Sequence, residues 1–247
     1  MHRVHVDPEA LSAGGALRVE GEEAHHALRV RRVRVGEAVE LFDAQGGVAP
    51  GRLADADSRG RWLDLELTGP VERRGAPTPW VELVCPAPKG DRLATMIDQL
   101  SQLGVASWRP LTTRRSVVEP RDAKLERLTR VALEAAKQCG RAWVMRLAEI
   151  TTLDEVMDAD DGLVTLVGDA GGEAPPGALE RVRVILGPEG GLTGEELALV
   201  TARGAIPTRL GPHTMRIETA AVAAGAILMR DATATTVDGY TKEEASA

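Results

Sequence analysis

Two stretches with different hydrophobic periods make up the chain. Over residues 1–72 apolar and polar positions alternate in short runs: HRVHV from His2, ALRVEG from Ala16, AVELFDA from Ala38 and WLDLELTG from Trp62. Gly14-Gly15, Gly46-Gly47 and Ser58-Arg59-Gly60 stand between them as turn signals. Short strands at such intervals predict a small β-barrel. One segment inside it, EEAHHALRVRRV from Glu22, has helical spacing instead. Residues 73–79, within ERRGAPTPW, are rich in Pro and Gly and form a natural linker.

From residue 80 to 232 the pattern changes to alternating strands and helices. WVELVCPA, ASWRPLTT, GLVTLVG, VRVILG and TRLG have strand length and apolar character. Between the first two, KGDRLATMIDQLSQLG places Leu93, Ile97, Leu100 and Leu103 on one helical face, and Gly104 suits its end. DAKLERLTRVALEAAKQCG is a second amphipathic helix, with Leu125, Leu128, Ala132 and Ala135 inward. Thr193 followed by Glu196 fits a capping box that opens a third. A last helix runs from Arg216 to Arg230, and the Thr- and Glu-rich residues 233–247 read as a frayed tail. Nearly continuous apolar strands between helices predict an α/β fold, its mostly parallel sheet covered on both faces.

Composition narrows the function classes. The chain is 43% hydrophobic but only 2% aromatic, so aliphatic side chains must build the core and aromatic base-stacking platforms are not expected. Neither a signal peptide nor an apolar run of membrane-spanning length is visible. Cys85 and Cys139 have no metal-ligand spacing, so no metal is expected and the cytoplasm is the default compartment. The net charge of −7 hides an asymmetry: residues 76–150 carry a net +4, while residues 151–247 carry a net −9. A basic middle can track a phosphate backbone even on an acidic protein.

The chemistry concentrates in two glycine loops. VILGPEGGLTGEE, Val184–Glu196, and RLGPHTMRIETAA, Arg209–Ala221, each follow an apolar run and each open a helix. In an open α/β sheet, ligands bind beyond the carboxyl ends of the strands, which is where both loops fall. Gly187, Gly190 and Gly191 leave main chain bare for a flat ligand. A P-loop needs a lysine that is missing here, and the spacing is not that of a dinucleotide fingerprint. A pair of tight structural turns is the plain alternative.

ILGPEGGLTGEEL and LGPHTMRIETAA resemble the two C-terminal signatures of the RsmE family, the 16S ribosomal RNA uracil-N3 methyltransferases of the SPOUT superfamily. PKGDRLATMIDQLSQLGV, TTRRSV and LEAAKQCGR extend the resemblance through the middle of the chain. The resemblance implies a PUA-like β-barrel, then a methyltransferase domain with a deep trefoil knot. It also implies S-adenosylmethionine as cofactor, a homodimer, and 16S ribosomal RNA or the small subunit as partner. The chain departs from the family pattern at Gln102, Lys137, His213 and Ile217.

Carried over to this chain, the cofactor would be lined by Leu186, Gly187, Glu189, Gly191, Leu210, Gly211, Met215 and Ile217. Uracil N3 holds its proton at neutral pH, so catalysis needs alignment and an exit for that proton. MRIET supplies Arg216 to orient the base or its anion, with Glu218 as proton acceptor or supporting partner and Thr219 beside them. For Glu218 an ordinary acidic first turn of a helix is an equal alternative. Arg29, Arg31, Arg32 and Arg34, together with Arg114, Arg115, Gln138 and Arg141, are the candidate RNA contacts. Ribose 2′-O methylation and a catalytically silent RNA-binding protein are the rival functions.

Overall fold

The computed structural model describes residues 1–116, 122–177 and 179–232. The tail expected at 233–247 lies outside the described residues. The chain forms two compact units, residues 1–76 with 140–143, and residues 77–139 with 144–232.

The first unit contains β1 (His2–His5), α1 (Pro8–Ala13), β2 (Ala16–Glu20), α2 (Gly21–His25), β3 (Ala38–Phe42), β4 (Gly47–Ala56), β5 (Trp62–Leu67) and β6 (Glu72–Arg73). A π-helical turn, His26–Val30, continues α2. The strands form one mixed sheet in the order β1-β3-β4-β5-β2, with β6 also on β4. β1 runs parallel to β3 and the other pairs are antiparallel. Because β1 and β2 remain its edges, the sheet is a PUA-like half-barrel and not a closed barrel. Val39, Leu41, Leu53, Leu63 and Leu65 point inward and are buried, as the alternation requires.

β4 is the strand that alternation did not reveal, because Pro50 and Gly51 interrupt it and both disfavour a strand interior. The structure explains the glycine: a Cβ at Gly51 would collide with the Leu41 side chain and the Glu66 carbonyl. Residues 140–143 join this unit through the Arg141 and Ala142 carbonyls and the Trp143 indole. Arg3 Nη1 donates to the Arg141 carbonyl at 2.7 Å, Gly46 N–H to that of Ala142 at 3.1 Å, and Trp143 Nε1 to that of Arg74 at 2.7 Å.

The second unit contains β7 (Trp80–Cys85), α3 (Arg92–Leu103), β8 (Ser107–Thr112), α4 (Asp122–Cys139), β9 (Arg146–Leu147), β10 (Thr151–Thr152), α5 (Leu153–Asp158), β11 (Val164–Glu173), β12 (Arg181–Ile185), α6 (Gly194–Ala202), β13 (Ile206–Thr208) and α7 (Ile217–Met229). The sheet order is β10-β8-β7-β12-β11-β13, with β9 on β8, and every pairing is parallel. Helices cover both faces. Val81, Leu83, Val182 and Val184 pack with α3, α4 and α7; Val84, Val167 and Ile185 pack with α5 and α6.

On the α5 side the strands also carry charge. Glu82 on β7 accepts from Arg183 Nε on β12 at 2.6 Å and from Arg109 Nε on β8 at 3.1 Å. Arg183 further reaches Asp161 and donates to the Val156 carbonyl. With Glu82 and Arg183 both buried, each depends on the other to offset lost hydration.

Three helices meet closely on the opposite face. Leu93, Met96, Ile97 and Leu100 of α3 are fully buried, and Gly104 ends that helix in the left-handed conformation at φ 98°. α7 lies so near α3 that a Cβ at Gly225 would meet Val105 at 3.1 Å and Leu100 at 3.3 Å. The last strand is Ile206–Thr208, so most of the apolar TRLG segment leaves the sheet as loop. α5, only one and a half turns long, is anchored by a capping box between Thr152 and Glu155.

Candidate functional site

The carboxyl ends of β11, β12 and β13 open into one cavity of about 1130 Å³. Residues 168–170, 174–177, 186–192 and 209–215 supply stretches of its wall, and Ala220, Ile227 and Leu228 of α7 contribute an apolar surface. The glycines shape it for steric reasons. A Cβ at Gly187 would lie 2.7 Å from Leu192 N and 2.9 Å from Gly191 C, so the loop can double back only without a side chain. Gly191 has φ +70° and closes a turn by donating to the Pro188 carbonyl at 2.7 Å.

Leu186, Gly187, Glu189, Gly191, Leu210, Gly211 and Met215 all lie on this wall. Ile217 does not; it is 3% exposed and packs in the core. Glu189 is exposed and bonds no loop N–H among the described residues. The loop-fixing carboxylate is Glu196, which accepts from Thr193 N–H at 2.8 Å and from Arg114 N–H at 2.8 Å. Partial burial opposes its ionisation, but these donors prevail and hold its carboxyl below the usual carboxylate range.

The wall residues 168–170 and 174–177 were not singled out from the sequence. Their signal was there in GDAGG after the β11 apolar run, where Gly172 abuts the Pro207–Thr208 main chain too closely for any Cβ.

Arg216 is the N-cap of α7, its carbonyl accepting from Ala220 N–H at 2.9 Å; its exposed side chain makes no hydrogen bond or ion pair among the described residues. Thr219 is exposed one turn on. Glu218 turns onto α3, where its Oε1 accepts from Arg92 Nη1 at 3.0 Å; its Oε2 is buried without a partner among the described residues. Sequence reading missed Arg92, whose signal was its place in PKGDR.

Arg29, Arg31, Arg32 and Arg34 are all exposed on the turn that follows α2, flanked by exposed Val30 and Val35. Arg114 and Arg115 instead reach across their own unit: Arg114 pairs with Glu195 in the first turn of α6, and Arg115 donates to the Gly190 carbonyl of the β12–α6 loop. Gln138 is exposed at the end of α4, and Arg141 is half-buried in the first unit.

The chain is similar to known proteins over both units. Residues 76–229 match the RNA methyltransferase domain model and residues 19–61 match the RNA methyltransferase PUA domain. Ribosomal RNA small subunit methyltransferase E of Synechocystis is 30% identical over 89% of this chain and 74% of its own length. The Bacillus subtilis protein of the same name is 26% identical over 88% and 91%. The crystal structure of a ribosomal RNA small subunit methyltransferase E from Neisseria gonorrhoeae bound to S-adenosyl methionine superposes with a TM-score of 0.82, at 26% identity over 93% of this chain and 97% of that one. A half-barrel of the PUA type, an all-parallel α/β unit and a glycine-walled cavity at its strand ends thus occur together in a chain that belongs to the ribosomal RNA small subunit methyltransferase E family.

Proposed function

We propose that this protein methylates N3 of a uridine in 16S ribosomal RNA, with S-adenosylmethionine as methyl donor, and that it acts as a homodimer. The observation that carries the reading is the cavity formed by the two glycine loops. Its wall fits this cofactor better than a nucleotide triphosphate. Leu186, Leu210 and Met215 offer apolar surface for an adenine, bare main chain at Gly187, Gly191 and Gly211 offers donors and acceptors, and among the described residues no lysine lines it, its cationic side chains being Arg209 and Arg230. The path from β13 back to α7, packed on α3, is consistent with the trefoil knot that family resemblance implies.

When bound, the cofactor supplies a methyl group already activated on a sulfonium. The chain's own task is to align the uracil and let the N3 proton leave. Arg216, exposed at the N-terminus of α7, is the group we assign to the imide anion that develops on the uracil carbonyl oxygens. Glu218 fixes that helix start against α3 through Arg92, and its unpartnered Oε2 remains able to accept a proton. The exposed Arg29, Arg31, Arg32 and Arg34 would hold RNA phosphates, positioning the strand without reading its sequence.

The test is to incubate the protein with methyl-labelled cofactor and 16S ribosomal RNA or small subunits, digest to nucleosides and separate them. Label in 3-methyluridine is expected. Label in a ribose-methylated nucleoside would make the acceptor assignment wrong, and no label in either substrate would remove the activity.

A further inference from the structure

We propose that Arg114 and Arg115 are positioning residues for the cofactor, a latch that holds residues 187–196 in the shape that walls the cavity. The proposal rests on the cofactor reading above.

β8 ends at Thr112, and Thr113–Ser116 forms a self-braced turn beside the β12–α6 loop. Ser116 N–H donates to the Thr113 carbonyl at 3.0 Å, and Thr113 N–H donates to Ser116 Oγ at 2.9 Å. Ser116 Oγ also lies 3.0 Å from Thr113 Oγ1. A turn braced in this way fixes the backbone of its two central residues, and these are the arginines. The Arg114 N–H enters the buried Glu196 carboxylate, whose other oxygen takes the Thr193 N–H. The Arg114 guanidinium pairs with Glu195, and the Arg115 guanidinium caps the Gly190 carbonyl.

The β12–α6 loop needs such an anchor. Gly190 and Gly191 are exposed and adjacent, and glycine loses more conformational freedom on ordering than any other residue. Within Gly187–Leu192 the internal main-chain bond is Gly191 N–H to the Pro188 carbonyl. The latch engages the loop at Gly190 and the first turn of α6 at Glu195 and Glu196, on either side of the Thr193 cap, so ordering is in place before the ligand arrives. In sequence the two arginines look like phosphate contacts. In the structure their donors turn toward the loop.

The test compares full-length wild type, Arg115→Ala and Arg115→Lys by calorimetric titration with S-adenosylhomocysteine, an unreactive probe of the same cavity. Exchange of the 187–196 amides without ligand, the KM-against-kcat split for the donor, and affinity for a 16S RNA fragment without cofactor complete the set. The latch predicts about tenfold weaker probe binding by Arg115→Ala, since preorganisation is lost while no ligand contact is removed. It further predicts faster exchange in 187–196, a raised KM with kcat retained, unchanged RNA affinity, and partial rescue by Arg115→Lys. Probe binding by Arg115→Ala within twofold of a binding-competent wild type would overturn the latch alone. A fall in RNA affinity with probe affinity intact would do the same and return Arg115 to phosphate contact. Failure of the wild type to bind the probe would overturn the cofactor reading and the latch together.

Discussion

Replacing Gly187 by alanine tests whether the cavity is the cofactor site, because the structure sets the size of the effect. The added Cβ would stand 2.7 Å from Leu192 N and 2.9 Å from Gly191 C, whereas ordinary contact begins at 3.4 Å. The far limb of the loop must therefore retreat by about 0.7 Å, and it is backbone, which has no rotamer to escape into. Overpacking of this kind costs about 1–3 kcal/mol. If that cost falls on the ligand-competent shape of the loop, affinity for S-adenosylhomocysteine drops by about 5- to 150-fold. Gly194→Ala is the matched control. No atom lies within 4 Å of its added Cβ, its φ is not positive, and it opens α6, so affinity should hold while stability rises by about 0.4–1 kcal/mol. Calorimetric titration gives the affinities, and thermal unfolding shows that both variants fold. Affinity of a folded Gly187→Ala protein within twofold of wild type would refute the assignment of this loop to the cofactor.

Arg216→Ala should leave probe affinity within about twofold and lower kcat by about a hundredfold or more, as loss of an anion-stabilising donor does. Wild-type turnover in the nucleoside assay would show that Arg216 has another role. Glu82→Ala strands the buried Arg183 with Asp161 and the Val156 carbonyl as its remaining partners among the described residues, and should destabilise the second unit by about 3 kcal/mol. That corresponds to a Tm lower by about 6–12 °C in scanning calorimetry, and a shift under about 2 °C would contradict the reasoning. Glu196 gives a pH signature. Its folded carboxyl is held below the ordinary 4.5, so its stabilisation is complete above that value and is lost as pH falls through the depressed one. The stability gap between wild type and Glu196→Gln should therefore be constant near neutrality and narrow below about pH 4.5 in denaturant titrations; a gap that widens on acidification would reverse the assignment.

Local patterning determined much of this protein. Period-two alternation marks β1, β2, β3 and β5, continuous apolar runs mark β7 and β12, and the Thr193–Glu196 box marks the start of α6, because each signal lies within a few neighbouring residues. The glycines of the two loops were legible as bare main chain at the strand ends, where they line the cavity, since a glycine run after a strand is itself a local feature. What sequence could not fix were relations between distant segments. Alternation excludes Gly51 from a strand, yet β4 needs a glycine there because the Leu41 side chain and the Glu66 carbonyl fill the space. Ile217 falls in the core as the first residue of α7, whereas Met215, on the loop before that helix, lines the cavity. Glu218 and Arg92 stand 126 residues apart and Arg115 and Gly190 stand 75 apart, so no window of the sequence shows either pair. The sequence by itself determined the strand and helix periods and the two glycine loops at the strand ends. Only the tertiary structure decided where each donor is directed, because a hydrogen bond depends on distance and angle in space.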